Sequence, residues 1–252
     1  MHWLIQKNII QNQEEYIKAL KELNIPFTLI NTKKKFIKKL NPKENYWAFG
    51  SVGLILKLYK SDLFSKSVDY HPIQFQFSTM LKYYKEKTLN YDAKILPLKD
   101  INIEKEPMFI KPNKGLKIFN GKIMLPNYFK EFKKNIINNK MNFDVNELMV
   151  ISSKKFVNKE YRLFIVNNEI VSACQTMQYS YLNLNKFVPE EIFNFAKELI
   201  EIWTPSNNFV LDIASTPKGL KVVEINCINS SGPYLCDIKK IIKAIETSTN
   251  LY

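Results

Sequence analysis

Residues Phe209–Tyr234 read FVLDIASTPKGLKVVEINCINSSGPY and predict a β-hairpin. Two runs rich in β-branched and aliphatic residues, Phe209–Ala214 and Leu220–Asn226, are the predicted strands. The segment Ser215–Gly219 between them has the composition of a turn, because proline restricts φ and glycine permits positive φ. The segment after the hairpin is a small-polar loop of the kind that carries binding groups.

The register of this hairpin places two carboxylates opposite each other. A hairpin centred near residue 218 pairs Asp212 with Glu224, and Asn226 shares their face because side chains alternate along a strand. On the other face the same register pairs apolar residues, Leu211 with Ile225 and Ile213 with Val223. Like charges directly opposed in a sheet are destabilising, so we expect a cation between them. Oxygen donors of this kind suit a hard ion such as Mg²⁺, with Mn²⁺ as an alternative. The competing interpretation is an ordinary amphipathic hairpin with a solvated acidic face.

Composition describes a basic globular protein. The chain has 252 residues, 46% of them hydrophobic, and a formal net charge of +13. This length can bury a core in one domain or in two closely packed subdomains. No run reaches the roughly 18 apolar residues of a membrane span, and the N-terminus lacks the features of a signal peptide. Three cysteines without metal-type spacing (Cys174, Cys227, Cys236) predict reduced thiols and a cytoplasmic location.

The positive charge comes almost entirely from lysine. Of the 37 Lys and Arg residues only Arg162 is arginine. A diffuse lysine surface favours acidic partners but does not indicate base-specific recognition, which depends on Arg, Asn and Gln. Nucleic acid therefore remains an alternative partner that the sequence does not favour.

Two classes of site are excluded by what the sequence lacks. The chain has only two histidines, in unrelated contexts, which argues against a Ser-His-Asp triad and a His-based zinc site. No Gly-x-Gly-x-x-Gly follows a predicted strand, so the usual dinucleotide fingerprint is missing.

Lys111 ends a short apolar strand, and a lysine-rich segment with one glycine follows it. Lysines at a strand end and on an adjacent loop can hold a polyphosphate as point charges, and the candidates are Lys111, Lys114 and Lys117. The competing interpretation is that Lys111 is an ordinary surface lysine whose stem covers apolar surface.

Arg162 lies on a predicted strand that begins at Glu160. Alternation puts both side chains on one face. Arginine offers a planar fork for phosphate or carboxylate, and this is the only arginine of the chain. We expect a functional role, with a surface Glu–Arg ion pair of little energetic value as the alternative.

The order of these motifs resembles the ATP-grasp superfamily of carboxylate–amine ligases. It looks most like the small ATP-grasp domains common in phage and bacterial genomes, a clade named for one arginine and two lysines. The resemblance covers about residues 105–245 and depends on Phe109-Ile-Lys111-Pro, a second lysine in a glycine-containing loop, Val150–Ser153, Glu160-x-Arg162, Asp212 and Glu224-Ile-Asn226. It implies an α+β fold in which two subdomains clamp a nucleotide, after a small α/β domain. The expected divisions are residues 1–90 for that domain, 91–156 for the subdomain with the phosphate-covering loop, and 157–252 for the subdomain with the metal site.

The resemblance also implies roles for individual residues. Lys111 is expected at the inner phosphates of ATP, and Lys117 or Lys114 at the outer ones. Glu160 would hold the ribose hydroxyls, and Arg162 would steady the transferred phosphoryl group or an acyl-phosphate. The hinge that reads adenine through its backbone is expected at Ser152, Ser153 and Lys155. The metal ligands would be Asp212, Glu224 and Asn226, and the acceptor pocket would include Asn229, Ser230, Ser231 and Tyr234.

The implied reaction activates a carboxylate and joins it to an amine or a similar nucleophile, with ATP and Mg²⁺ as cofactors. The basic surface suggests an acidic peptide or protein as one partner, and no membrane is expected. Two alternatives stay open at this point. One is an ATP-grasp kinase or phosphotransferase, and the other is a lysine-rich protein that binds nucleic acid or an acidic partner without catalysis.

Overall fold

The structure, a computed structural model, describes residues 1–8, 12–31, 36–115, 119–138 and 144–249. Three sheets follow one another along the chain, and each predicted segment contains one of them. The predicted boundaries themselves remain a prediction. Among the described helices, none combines the length and the apolar composition that crossing a membrane requires.

The first sheet is parallel and begins the chain. Its strands are β1 (His2–Gln6), β2 (Phe27–Ile30) and β3 (Tyr46–Phe49), in the order β2-β1-β3, and its helices are α1 (Gln13–Glu22) and α2 (Val52–Tyr59). We expected the strand that begins at Tyr46 to extend to Ile55, and this was wrong. The strand ends at Phe49 because the Ser51 side chain accepts a hydrogen bond from the Leu54 amide at 3.3 Å and caps a helix there.

The second sheet is antiparallel and has four strands. They are β4 (Lys94–Pro97), β5 (Met108–Pro112), β6 (Lys122–Met124) and β7 (Leu148–Ser153), in the order β4-β7-β5-β6; α3 (Phe77–Tyr84) precedes them and α4 (Pro126–Ile137) follows β6. The sequence suggested a hairpin around Asn120-Gly121 between Lys117–Phe119 and Lys122–Met124. Instead β6 pairs with β5, with Met108 opposite Met124. Lys117 itself lies outside the described residues.

The third sheet is antiparallel and has five strands. They are β8 (Lys159–Val166), β9 (Glu169–Gln178), β10 (Tyr181–Asn185), β11 (Asn208–Thr216) and β12 (Gly219–Cys227), in the order β10-β9-β8-β11-β12; α5 (Glu190–Ile202) lies between β10 and β11, and α6 (Ile238–Thr249) follows β12. Buried side chains from this sheet, from β7 and from α2, α3 and α5 form one apolar cluster. The core therefore joins the three sheets and holds the five-stranded one in the middle.

The hairpin of β11 and β12 confirms the predicted pairing near the carboxylates. Asp212 faces Glu224, and Leu211 faces Ile225. Beyond Asp212 the register shifts, so that Ile213 faces Val222 and not Val223 as expected. A bulge of this kind leaves one extra residue on one strand. The turn is also tighter than predicted, because the strands continue to Thr216 and Gly219, and Gly219 takes a φ of +90°.

Candidate functional site

Three charged side chains form a row across neighbouring strands of the five-stranded sheet. The pairing of β8 with β11 sets Arg162 opposite Asp212, and the pairing of β11 with β12 sets Asp212 opposite Glu224. Asn226 lies two residues further along β12 on the same face. The three strands therefore bring the predicted arginine and all three predicted metal ligands together.

Arg162 and Asp212 form a buried two-pronged ion pair. Arg162 Nε donates to Asp212 Oδ1 at 2.9 Å and Nη2 donates to Oδ2 at 2.8 Å, with side chains only 11% and 10% exposed. Burial acts to lower the pKa of Arg162, but the Asp212 carboxylate outweighs it and raises that pKa. Arg162 Nη1 also donates to the Gly232 carbonyl at 3.1 Å, and the Tyr234 ring lies 5.0 Å from the guanidinium carbon. The guanidinium is thus charged and held in one orientation.

Asn226 and Lys111 complete the network around Glu224. Asn226 Nδ2 donates to Asp212 Oδ2 at 3.0 Å and to Glu224 Oε1 at 3.1 Å. Lys111 reaches across from β5 in the four-stranded sheet and places Nζ 3.6 Å from Glu224 Oε2. The cation expected near the two carboxylates is therefore supplied in this structure by the side chains of Arg162 and Lys111.

A cleft between the two antiparallel sheets opens beside Lys111. Its lining includes Phe77, Lys111, Lys114, Phe119, Glu224 and Asn226. Lys111 Nζ lies 5.1 Å from the centre of the Phe77 ring, within cation–π range. Two sheets, one contributing lysines and the other carboxylates, thus face each other across one cleft.

Asn113 positions this cleft, and the sequence reasoning missed it. Its side chain is buried, accepts a hydrogen bond from the Ser78 amide at 2.9 Å, and donates to Ser78 Oγ at 3.1 Å. Its carbonyl accepts from the Phe77 amide at 2.9 Å. Asn113 therefore ties the end of β5 to the first turn of α3. No local pattern could have indicated this contact, because it joins residues 35 positions apart.

The lysines after β5 have different surroundings. Lys114 lines the cleft and pairs with the largely buried Glu147 at 2.7 Å. Lys117, the other candidate for the outer phosphates, lies outside the described residues. The choice between the two lysines therefore remains open.

The predicted hinge is held by a loop that the sequence reasoning did not connect to it. Ser152 Oγ donates to Asn90 Oδ1 at 3.0 Å, and both residues are buried. Asp92 accepts hydrogen bonds from Ser153 Oγ and Lys155 Nζ, each at 2.6 Å. Burial acts to raise the pKa of Asp92, but the hydrogen bonds from Lys155 and Ser153 outweigh it and lower that pKa. The side chains of the hinge thus face the connection between α3 and β4, and nucleotide contact by its backbone remains a prediction.

The predicted acceptor residues separate into two groups. Asn229 is fully buried, donates to the Ala48 carbonyl at 2.7 Å and accepts from the Asp69 amide at 2.8 Å. Ser231 and Ser230 direct their hydroxyls to the Cys227 carbonyl, at 2.8 and 3.5 Å. Only Tyr234 contacts the row, through Arg162. The structure therefore does not bring Asn229 to the row, and substrate contact stays a prediction for all four residues.

Glu160 lies on β8 two residues before Arg162, and both are half-buried. The pairing of β8 with β11 is regular here, with Glu160 opposite Ala214, so Glu160 shares the face of the row. Its contact with a ribose remains a prediction.

The donor set fits a divalent metal with oxygen ligands. Asp212 and Glu224 provide carboxylate oxygens and Asn226 an amide oxygen, the ligand chemistry of Mg²⁺ and Mn²⁺. Asp212 accepts three hydrogen bonds, and a carboxylate has about four acceptor positions, so it retains capacity for an ion. In the described part of the chain, no group of three or more His, Cys, Asp or Glu side chains could hold a metal, so this set depends on Asn226 as its third member.

Comparison with solved structures gives the same fold. D-alanine–D-alanine ligase from Bacillus anthracis complexed with ATP aligns with a TM-score of 0.61 and 13% identity, covering 100% of this chain and 98% of that one. A RimK domain ATP-grasp protein from Sphaerobacter thermophilus DSM 20745 aligns with a TM-score of 0.60 and 10% identity, covering 89% and 90%. A RiPP-associated ATP-grasp ligase from Chryseobacterium gregarium, in complex with ADP and a leader and core peptide, aligns with a TM-score of 0.57 and 10% identity, covering 100% and 97%. At these identities the likeness establishes the fold alone.

Comparison of the sequence itself assigns the family. No curated protein sequence matches the chain. The model of an ATP-grasp domain family, the third family of the clade named for one arginine and two lysines, matches residues 66–245. This range is well over half of the chain and includes every side chain of the row. The chain therefore belongs to the third ATP-grasp domain family of that clade, and it has the α+β fold expected for it.

Proposed function

We propose that this protein is an ATP-dependent ligase that activates a carboxylate as an acyl-phosphate and joins it to an amine or a similar nucleophile. The observation that carries the proposal is the row Arg162, Asp212 and Glu224, which faces Lys111 across the cleft between two antiparallel sheets. Its support is chemical, because phosphoryl transfer requires positioning and charge neutralisation more than covalent participation by the protein.

The nucleotide would lie in the cleft between the sheets. Lys111 would contact the inner phosphates of ATP, and Lys114 or Lys117 the outer ones. Glu160 would hold the ribose, and the backbone of 152–155 would read the base. Lysine suits these roles because a compact ammonium can follow a phosphate group as it moves.

Mg²⁺, or Mn²⁺ in its place, would be held by Asp212, Glu224 and Asn226. When bound there, the ion supplies charge neutralisation for the phosphates. Asn226 prepares this arrangement by donating to both carboxylates at 3.0 and 3.1 Å, which holds them side by side.

Arg162 would steady the transferred group. Its bidentate pair with Asp212 fixes the plane of the guanidinium, and Tyr234 covers one face. In the proposed reaction the substrate carboxylate oxygen attacks the γ-phosphorus, and the bond to ADP breaks. The amine then attacks the acyl carbon of the acyl-phosphate and inorganic phosphate leaves. The net charge of +13 supports an acidic peptide or protein as a substrate.

Thermal unfolding with Mg-ATP tests the nucleotide site. We expect Mg-ATP to raise the Tm of the wild type and to have little effect on Glu224→Gln, which keeps the size of the side chain and removes its charge. Glu131→Gln on the exposed face of α4 is the matched control, and it should shift as the wild type does. Equal shifts in the wild type and Glu224→Gln would contradict the proposed site.

Product analysis tests the reaction. We expect ADP and free phosphate only when a carboxylate and an amine are present together, with a glutamate-rich peptide as the first substrate to try. A phosphorylated product without amine dependence would indicate a kinase. Binding of the acidic peptide without any ATP hydrolysis would indicate a binding protein.

A further inference from the structure

Lys111 and Glu224 contact each other, although the proposed function assigns them to different ligands. Their Nζ and Oε2 atoms lie 3.6 Å apart, and the side chains are only 14% and 22% exposed. The proposed function, on which this inference rests, gives Lys111 to the phosphates and Glu224 to the metal. Each side chain therefore occupies the place that the other's ligand would take.

The charges of the row balance without any ligand. Two carboxylates, Asp212 and Glu224, lie beside two cations, Arg162 and Lys111. Charges as little exposed as these are weakly screened by salt, so an unpaired one is unfavourable. Any ligand that enters must therefore leave all four charges compensated.

Neither the metal nor the nucleotide satisfies this condition alone. A divalent ion at Glu224 would leave the Lys111 ammonium next to a second positive charge. Phosphates at Lys111 would leave the Glu224 carboxylate next to further negative charge. When both ligands enter together, the ion takes Glu224 and the phosphates take Lys111, and every charge has a partner.

Of the two cations, Lys111 is the one that can exchange partners. Arg162 is held by two hydrogen bonds to Asp212 at 2.8 and 2.9 Å and by a third to Gly232. Lys111 has a longer contact with Glu224, 3.6 Å, and lies at the cleft beside the Phe77 ring. A lysine ammonium is also a point charge without a fixed fork geometry.

We infer that the Lys111–Glu224 pair is a charge interlock that admits the metal–nucleotide complex and disfavours the free metal and the free nucleotide. Because binding coupling is reciprocal, the ion raises nucleotide affinity by the same factor by which the nucleotide raises ion affinity. The interlock thus specifies the ligand as a nucleotide that already carries its divalent ion.

Two single variants give effects that oppose ordinary expectation. Glu224→Gln, which loses a metal ligand, should bind ATP in excess EDTA at least about fivefold more tightly than the wild type does, since Lys111 is released. Lys111→Met, which loses a phosphate contact, should bind Mn²⁺ alone at least about fivefold more tightly. Calorimetry measures the first affinity, and the paramagnetic resonance signal of free Mn²⁺ measures the second.

A double variant separates the interlock from simple repulsion between like charges. If the pair is an interlock, Glu224→Gln should raise the affinity for metal-free ATP much less in the Lys111→Met background, because no lysine remains to be released. An equal gain in both backgrounds, or no gain in Glu224→Gln, would overturn the interlock. Near-ultraviolet circular dichroism of each variant checks that the fold is retained.

Lys114→Met is the matched control for charge. It removes a lysine from the same cleft, but this lysine pairs with Glu147, so Mn²⁺ affinity should stay near the wild-type value. A gain equal to that of Lys111→Met would overturn the interlock. A wild type that shows no Tm shift with Mg-ATP would overturn the proposed function and the interlock together, whereas an additive cycle in a wild type that binds Mg-ATP would overturn the interlock alone.

Discussion

The two antiparallel sheets contribute to the candidate site in different ways. The five-stranded sheet supplies Arg162, Asp212, Glu224 and Asn226 from adjacent strands, where hydrogen bonds of 2.8–3.1 Å link them. The four-stranded sheet supplies Lys111 from one strand and Lys114 from the loop after it, and each reaches an acidic side chain as a single ammonium.

This difference separates a prepared surface from an adjustable one. Side chains on neighbouring strands are held by the backbone ladder, so the row keeps its geometry before any ligand arrives. Lysines at a strand end can move with the phosphates that they would contact. We expect substitutions in the row to change stability and binding together, and substitutions at the hinge to change stability little.

The largest expected difference contrasts two aspartates that each hold a cation. Asp212→Ala should lower the free energy of unfolding by about 3–5 kcal/mol, because it leaves Arg162 buried without its partner. Asp92→Ala removes the partner of Lys155 where Asp92 is 35% exposed, and should cost at most about 1 kcal/mol. Urea unfolding at one pH measures both, and equal losses would break the comparison between the two regions.

The second prediction tests whether the four-stranded sheet also has a prepared contact. Asn113→Ala should destabilise the protein by about 1–3 kcal/mol, because it removes the cap of α3 and leaves buried polar groups without partners. Asn146→Ala, at an exposed turn of the same region, is the control and should change stability by less than about 0.5 kcal/mol. A loss for Asn113→Ala as small as the control's would show that Asn113 does not hold β5 to α3.

The third prediction concerns the turn that sets the register of the row. Gly219 has a φ of +90°, which is strained for any residue with a Cβ atom, so Gly219→Ala should cost about 1–2 kcal/mol. Gly53→Ala in helix α2 is the opposite control, because its Cβ would meet only Ser51 Oγ at 3.7 Å and alanine favours helices. Thermal unfolding should therefore show a lower Tm for the first variant and an unchanged or higher Tm for the second.

The smallest expected effect is the pH dependence of the hinge. The pKa of Asp92 is lowered on folding from its usual 3.8, so the unfolded state binds more protons between the two values. The carboxylate therefore stabilises the fold above about pH 4, and this contribution is lost as the pH falls through the lower folded value. Asp92→Asn removes it, so the variant should be less stable than the wild type by under about 1 kcal/mol at pH 7, with a smaller difference at about pH 3. A stability difference that grows on acidification would contradict this sign.

Prediction from the sequence succeeded where contacts are close along the chain. The pairing of Asp212 with Glu224 follows from a short turn and alternation, and the structure confirms it. The shift to Val222 was not predictable, because an alternating pattern contains no signal for one extra residue. The role of Asp92 was missed for another reason, since 61 residues separate it from Ser153.

The sequence by itself determined the hairpin, the shared face of its oxygen donors and, through its motifs, the family, because these depend on local turn chemistry and on residue order. Only the tertiary structure decided what neutralises those donors. Arg162 reaches Asp212 through strand pairing 50 residues away, and Lys111 reaches Glu224 from a different sheet. The physical reason is that burial and charge pairing depend on how the sheets pack against each other, and no local pattern encodes that packing.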